Sequence, residues 1–113
     1  MSAIPPHVLD VASGRPAQGV PIVLELQRAG AWSEVGRGET DADGRLRTLL
    51  PAGAPLERGR YRITFDTGAY LQASGVEGFY PEAAVVFEVR ADREHYHVPL
   101  LLSPYGYSTY RGS

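Results

Sequence analysis

The sequence has 113 residues, 43% of them hydrophobic and 21% charged, with 13 glycines, 9 prolines and no cysteine. That length fits one domain whose core holds without disulfides, and the missing cysteines exclude a cystine scaffold, a thiolate zinc site and a cysteine nucleophile. The formal net charge of -2, from 11 basic and 13 acidic residues with no run of either sign, argues against nucleic acid or an anionic membrane as partner, and the lack of lysine excludes Schiff-base chemistry and a P-loop.

Met1 to Pro6 carries neither a basic nor an apolar leader, and no segment approaches the roughly 20 apolar residues of a membrane span, so a cytoplasmic protein is expected. Beyond it, hydrophobic alternation at period two, broken by Gly or Pro about every ten residues, predicts antiparallel β structure. A first strand over Ile4 to Val11 ends at the turn signal Ser13-Gly14-Arg15-Pro16. A second, Val20 to Gln27, sets Val20, Ile22, Leu24 and Leu26 on one face, and Ala29-Gly30 turns the chain into a third, Trp32 to Glu39. Asp41-Ala42-Asp43-Gly44 reads as a hairpin turn because Asp-Gly supplies positive φ, with Arg45 opening a short strand after it. A Pro/Gly loop, Pro51 to Gly59, precedes a strand over Arg60 to Asp66. Two helical turns over Gly68 to Ser74 end at Gly75. Strands over Ala83 to Val89 and His95 to Leu102 follow, and the turn Ser103-Pro104-Tyr105-Gly106 returns the chain as Tyr107 to Arg111. About seven or eight strands with one short helix predict an all-β sandwich.

The chemistry-bearing residues are few. His95 and His97 lie two apart in a predicted strand and so share a face, which could ligate a metal if His7 or a carboxylate supplied a third ligand. The alternative is one surface histidine and one packed near Pro99. His7 follows Pro5-Pro6 at a strand entry, where a side chain can face a cleft, and histidine titrates near neutrality. Arg45 beside a turn reads by default as a solvated cation, and Tyr105, Tyr107 and Tyr110 as core or interface aromatics. The tyrosine-bearing end of the sequence, with no trailing filler, points to a docked terminus.

Together, His7-Val8-Leu9-Asp10, Asp43-Gly44-Arg45, the stretch from His95 to Thr109 and the final Tyr110-Arg111-Gly112-Ser113 resemble the 5-hydroxyisourate hydrolases, the transthyretin-like enzymes of urate breakdown. The resemblance spans the chain as a single domain over residues 1–113, and its most specific element is the final tetrapeptide. It implies two four-stranded sheets with one short helix, and a homotetramer built as a dimer of dimers with active sites in the channel between them. It also implies metal-free and cofactor-free hydrolysis of a ring lactam of 5-hydroxyisourate. By the same resemblance His7, Arg45 and His97 are catalytic, Tyr110 and Ser113 contact substrate, and Arg111 and Gly112 position the terminus, whereas His95 carries no role. Which histidine takes the proton from water stays open. The competing expectation is a transthyretin-like small-ligand carrier, whose pattern lacks this histidine and arginine set and the final tetrapeptide.

Overall fold

Burial in two of the central strands follows the period-two pattern closely. Within strand β3 (Pro21–Arg28), Ile22, Leu24 and Leu26 turn inward, and within β5 (Gly59–Phe65), Tyr61, Ile63 and Phe65 do the same. The computed structural model describes residues 3–51, 53–90 and 95–112. Its other elements are β1 (Pro6–Asp10), β2 (Arg15–Pro16), β4 (Ala31–Glu39), helix α1 (Thr67–Ala73), β6 (Ala83–Val89), β7 (Val98–Ser103) and β8 (Gly106–Thr109). They form two four-stranded sheets, ordered β2-β1-β7-β8 and β4-β3-β5-β6, so the expected sandwich is present. Val8, Leu100 and Leu102 from one sheet and Ile22, Leu24, Ile63 and Phe65 from the other fill the space between them. Each such side chain contributes about 1.5–3 kcal/mol by leaving water.

Helix α1 starts where the Asp66 carboxylate accepts a bond from the Ala69 N–H (3.0 Å), and it gives way at Gly75, whose φ is 70°. Tyr70 on this helix donates its hydroxyl to Asp10 (2.7 Å), fastening the helix to the end of β1. The same carboxylate accepts from the backbone of Ala12 and Ser13 and so shapes the turn into β2.

Four sequence expectations need correction. β1 and β7 pair in parallel, from Pro6 opposite Val98 to Asp10 opposite Leu102, although the alternation had suggested antiparallel strands throughout. Alternation is identical in both arrangements; no short turn joins these two strands, so none dictates their direction. Arg15 and Pro16, read as turn, instead pair with Asp10 and Leu9 as an edge strand. The Asp41–Gly44 turn joins no hairpin and Arg45 begins no strand: the turn carries the chain from β4 across to the other sheet, where Arg45 makes a single bridge to His7. Gly44 is required there by its φ of 74° and by its approach to β1, where a β-carbon would collide with the Val8 carbonyl and the Val8 N–H instead donates to the Gly44 carbonyl (2.7 Å). Finally, β7 begins at Val98, leaving His95 outside it, and β8 ends at Thr109, after which pairing resumes only where Gly112 bridges His97.

Thr40 joins the end of β4 to the loop behind β2. Its buried hydroxyl donates to the Ala17 carbonyl (2.6 Å) and accepts from the Val20 N–H (2.9 Å). Thr40→Val leaves both backbone groups unpaired and is expected to cost about 2 kcal/mol of unfolding free energy, read by urea denaturation. A loss below about 0.5 kcal/mol would show that the loop finds other partners.

Candidate functional site

Because Pro6 and Val8 face the core, His7 between them faces outward from the β2-β1-β7-β8 sheet. On β7 the inward position Val98 likewise turns His97, the residue before it, to the outer face. The parallel register sets His7 opposite Pro99, two residues from His97, and the two imidazoles lie side by side with centroids 6.2 Å apart and planes inclined by 24°. Arg45 flanks His7 on the other side through its backbone bridge. Leu100 pairs with Thr109 and His97 with Gly112, which puts Tyr110 opposite Pro99, next to the histidines, with 58% of its surface exposed. Pro99 offers no N–H to this ladder, but its carbonyl accepts from the Thr109 hydroxyl (2.8 Å).

The structure thus brings together His7, Arg45, His97 and Tyr110 from four separate segments. Ser113 lies outside the described residues. His95 is exposed and does not join the cluster; its carbonyl lies 3.4 Å from the Arg111 guanidinium. Among the described residues no three His, Asp or Glu side chains converge in a way that could hold a metal ion.

Hydrogen bonding distinguishes the two imidazoles. His7 Nε2 is 3.0 Å from the Asp43 carbonyl oxygen, which can only accept, so Nε2 carries the hydrogen and Nδ1 keeps its lone pair in the neutral ring. His97 Nε2 is buried without a hydrogen-bonding partner, the sole side-chain nitrogen or oxygen in that condition among the described residues. A buried polar atom of this kind needs a partner to offset its desolvation. Burial lowers the pKa of His7 below the usual 6.5, and the Arg45 guanidinium lowers it further, against a smaller opposing contribution from the Asp43 carbonyl. Burial also lowers that of His97, followed by His7 and Arg45. Both rings are therefore neutral bases at pH 7.

Asp41 was not singled out in the sequence, yet it positions both the carbonyl under His7 and the arginine. Its carboxylate accepts from the N–H groups of Asp43 (2.9 Å) and Arg45 (3.1 Å), an Asx turn of which the aspartate opening Asp41-Ala42-Asp43-Gly44 was the signal. Asp41 and Asp43 also take the Arg47 guanidinium, at 2.7 and 3.4 Å. A cavity of about 340 Å3 lies at the open edge of the sandwich between β6 and the final segment, lined among others by Phe87, Arg90, Tyr96, His97, Tyr110 and Arg111. A second, of about 320 Å3, lies beside Arg45 and is lined by Pro5, Pro6, Leu46 and Arg47.

Residues 4–112 match the model of the HIUase/Transthyretin family. The chain is 50% identical over 109 residues to a 5-hydroxyisourate hydrolase of Salmonella typhimurium, covering 95% of this chain and 78% of that protein. Among solved structures it is similar to the 5-hydroxyisourate hydrolase of Klebsiella pneumoniae (38% identity, TM-score 0.84, all of both chains). It is also similar to sea bream transthyretin in complex with thyroxine (34% identity, TM-score 0.92, 98% of this chain and 95% of that one).

In the unfolded chain both imidazoles titrate near 6.5, above their folded values, so between those values the unfolded state binds more protons. Stability is therefore expected to fall as pH drops from about 6.5 toward the folded pKa values and to level off below them. The double variant His7→Asn with His97→Asn should show a shallower fall in urea denaturation between pH 7 and pH 5; an unaltered slope would mean that these rings are not desolvated.

Proposed function

The chain belongs to the HIUase/Transthyretin family, and we propose that it serves there as an enzyme whose outward histidine face opens the substrate ring. It hydrolyses 5-hydroxyisourate to 2-oxo-4-hydroxy-4-carboxy-5-ureidoimidazoline in urate breakdown, and its relatives in Salmonella and mouse are named 5-hydroxyisourate hydrolase. The observation that supports this reading best is the pair of imidazoles, His7 and His97, with centroids 6.2 Å apart and both pKa values lowered first by burial, beside the Arg45 segment.

Hydrolysis adds water across a lactam C–N bond, and it needs a base for the water, stabilisation of the carbonyl oxygen as it becomes an oxyanion, and a proton for the departing nitrogen. His97 takes the proton from water as the water oxygen bonds to the carbonyl carbon. Arg45 receives the developing negative charge, for which its planar fork of donors is suited. When the C–N bond breaks, the proton held on His97 passes to the ring nitrogen and the imidazole returns to its neutral form. His7, whose Nε2–H is committed to the Asp43 carbonyl, presents Nδ1 as an acceptor that orients an N–H of the heterocycle. Tyr110 and Ser113 hold the substrate, with no metal or cofactor taking part.

A tetrameric, dimer-of-dimers assembly fits the edges of β6 and β8, which pair with no further strand among the described residues, and the exposed Phe79 and Tyr105, each 68% exposed. Such an assembly encloses the histidine face in a channel. No helix among the described residues is long and apolar enough to cross a membrane, and a cysteine-free chain suits the cytoplasm.

The higher TM-score with sea bream transthyretin favours a second reading, a small-ligand carrier. Backbone likeness reports the shared sandwich, whereas the side chains separate the two readings, and His7, Arg45, His97 and the Tyr110-Arg111-Gly112-Ser113 segment carry the resemblance to the hydrolases.

The test is an ultraviolet assay in which urate oxidase generates 5-hydroxyisourate and its decay is followed with and without the protein. Wild type should accelerate decay strongly, His97→Asn should lower turnover about 100-fold to 10,000-fold with the fold intact, and Arg45→Ala should also lower it. Near-normal turnover by His97→Asn would remove that residue from the chemistry. A folded wild type with no acceleration would favour the carrier.

A further inference from the structure

We propose that Gly112 is a positioning residue for His97, required to be glycine because the imidazole rests directly on its α-carbon. The inference builds on the hydrolase reading above and assigns a role within its site to a residue that touches neither substrate nor reacting atoms.

Glycine usually earns its place through backbone freedom, as at Gly14, Gly30, Gly53 and Gly75, where φ is positive and an added β-carbon would meet nothing within 4 Å. Gly112 is the reverse case. It is not among the glycines with positive φ, so its conformation suits any residue, but a β-carbon there would collide with His97 Nδ1 and stand 2.7 Å from Cγ and 2.9 Å from Cε1. The same ring stacks with His7, their centroids 6.2 Å apart and planes inclined by 24°, so a displaced His97 would also disturb that pair.

The backbone holds Gly112 in this place. Its N–H donates to the His97 carbonyl (2.9 Å), restoring the β7–β8 register beyond the break at Pro99. One residue earlier, the Arg111 guanidinium lies 4.7 Å from the centre of the Tyr96 ring, and Tyr96, next to His97, accepts the Arg90 N–H through its hydroxyl (3.1 Å). Arg111 thus grips the inner side of the Tyr96–His97 segment and Gly112 its outer side. With Nδ1 against Gly112, the backbone of the final segment limits how the imidazole can sit, and Nε2 points away from Gly112. The charged and titratable groups around the ring are His7 on β1, Arg45 on the turn, Tyr110 and Arg111 on the final segment, and Glu88 and Arg90 beside the cavity at β6.

Gly112→Ala should push the ring out of its place. The expected result is a kcat lowered about 100-fold with KM changed less than about threefold, since a displaced base weakens the chemical step more than binding. In NMR titrations of histidine-labelled protein, His97 should protonate at higher pH than in wild type because its ring becomes more hydrated. A purely structural role would lower the melting temperature without moving that titration. The titration does not depend on the substrate's identity, so it tests the positioning even if wild type fails to hydrolyse 5-hydroxyisourate. Should Gly112→Ala alone not fold, adding His97→Ala removes the obstructing ring and should restore folding. The proposal is overturned if folded Gly112→Ala keeps both the wild-type kcat and the wild-type His97 titration, or if the double variant fails to recover a fold that the single variant has lost.

Discussion

The parallel pairing of β1 with β7 is the constraint on which the site depends. It joins segments separated by most of the sequence, so its loop-closure cost is met by burial rather than by a turn. Val8, Leu100 and Leu102 supply that burial on the inner face. Because side chains alternate, a slip of one residue would drive His7 into the core and expose Val8, so the contacts that stabilise the sheet also fix which way the imidazole points. The geometry of the histidine face is a by-product of core register, and the long reach of the pairing explains how the rings at positions 7 and 97 come to lie 6.2 Å apart.

The electrostatics of the site rest on a division between two nearby arginines. Arg47 takes the carboxylates of Asp41 and Asp43, whereas no ion pair involving Arg45 occurs among the described residues. The Asp41 carboxylate also ties down the backbone N–H of Arg45, fixing where its side chain starts. Burial first, and then the Arg45 guanidinium, lowers the pKa of both imidazoles, and in the proposed mechanism that guanidinium, unpaired among the described residues, faces the oxyanion. The turn therefore neutralises one cation and presents the other.

Much of this was legible in the sequence. Alternation located β3, β4, β5 and β6 to within a few residues, and Gly75 marked the end of the helix. The parallel pair was not legible, since period two is common to both strand directions. Asp-Gly was read as a hairpin although the turn crosses between sheets, because local turn chemistry does not say what the chain meets next. β7 proved to begin at Val98, which leaves both His95 and His97 ahead of it, with His97 joined to the sheet only through its bridge to Gly112. In the residue pattern His7, Arg45 and His97 were three weak hints, and only their resemblance to the hydrolases grouped them; the structure supplies the contact. Gly112 was expected to position the terminus, but its closeness to His97 is a three-dimensional fact that no spacing encodes.

The central claim is that Arg45, His7 and His97 act on one another as a single electrostatic unit. The most direct measurement is an NMR titration of the histidine rings in wild type and in Arg45→Ala. Loss of the guanidinium should raise the titration midpoints of both His7 and His97, because its charge holds both down. Midpoints that stay in place in a folded Arg45→Ala protein would contradict the account, since Arg45 would then be a solvated cation on the surface and the two imidazoles a pair without it.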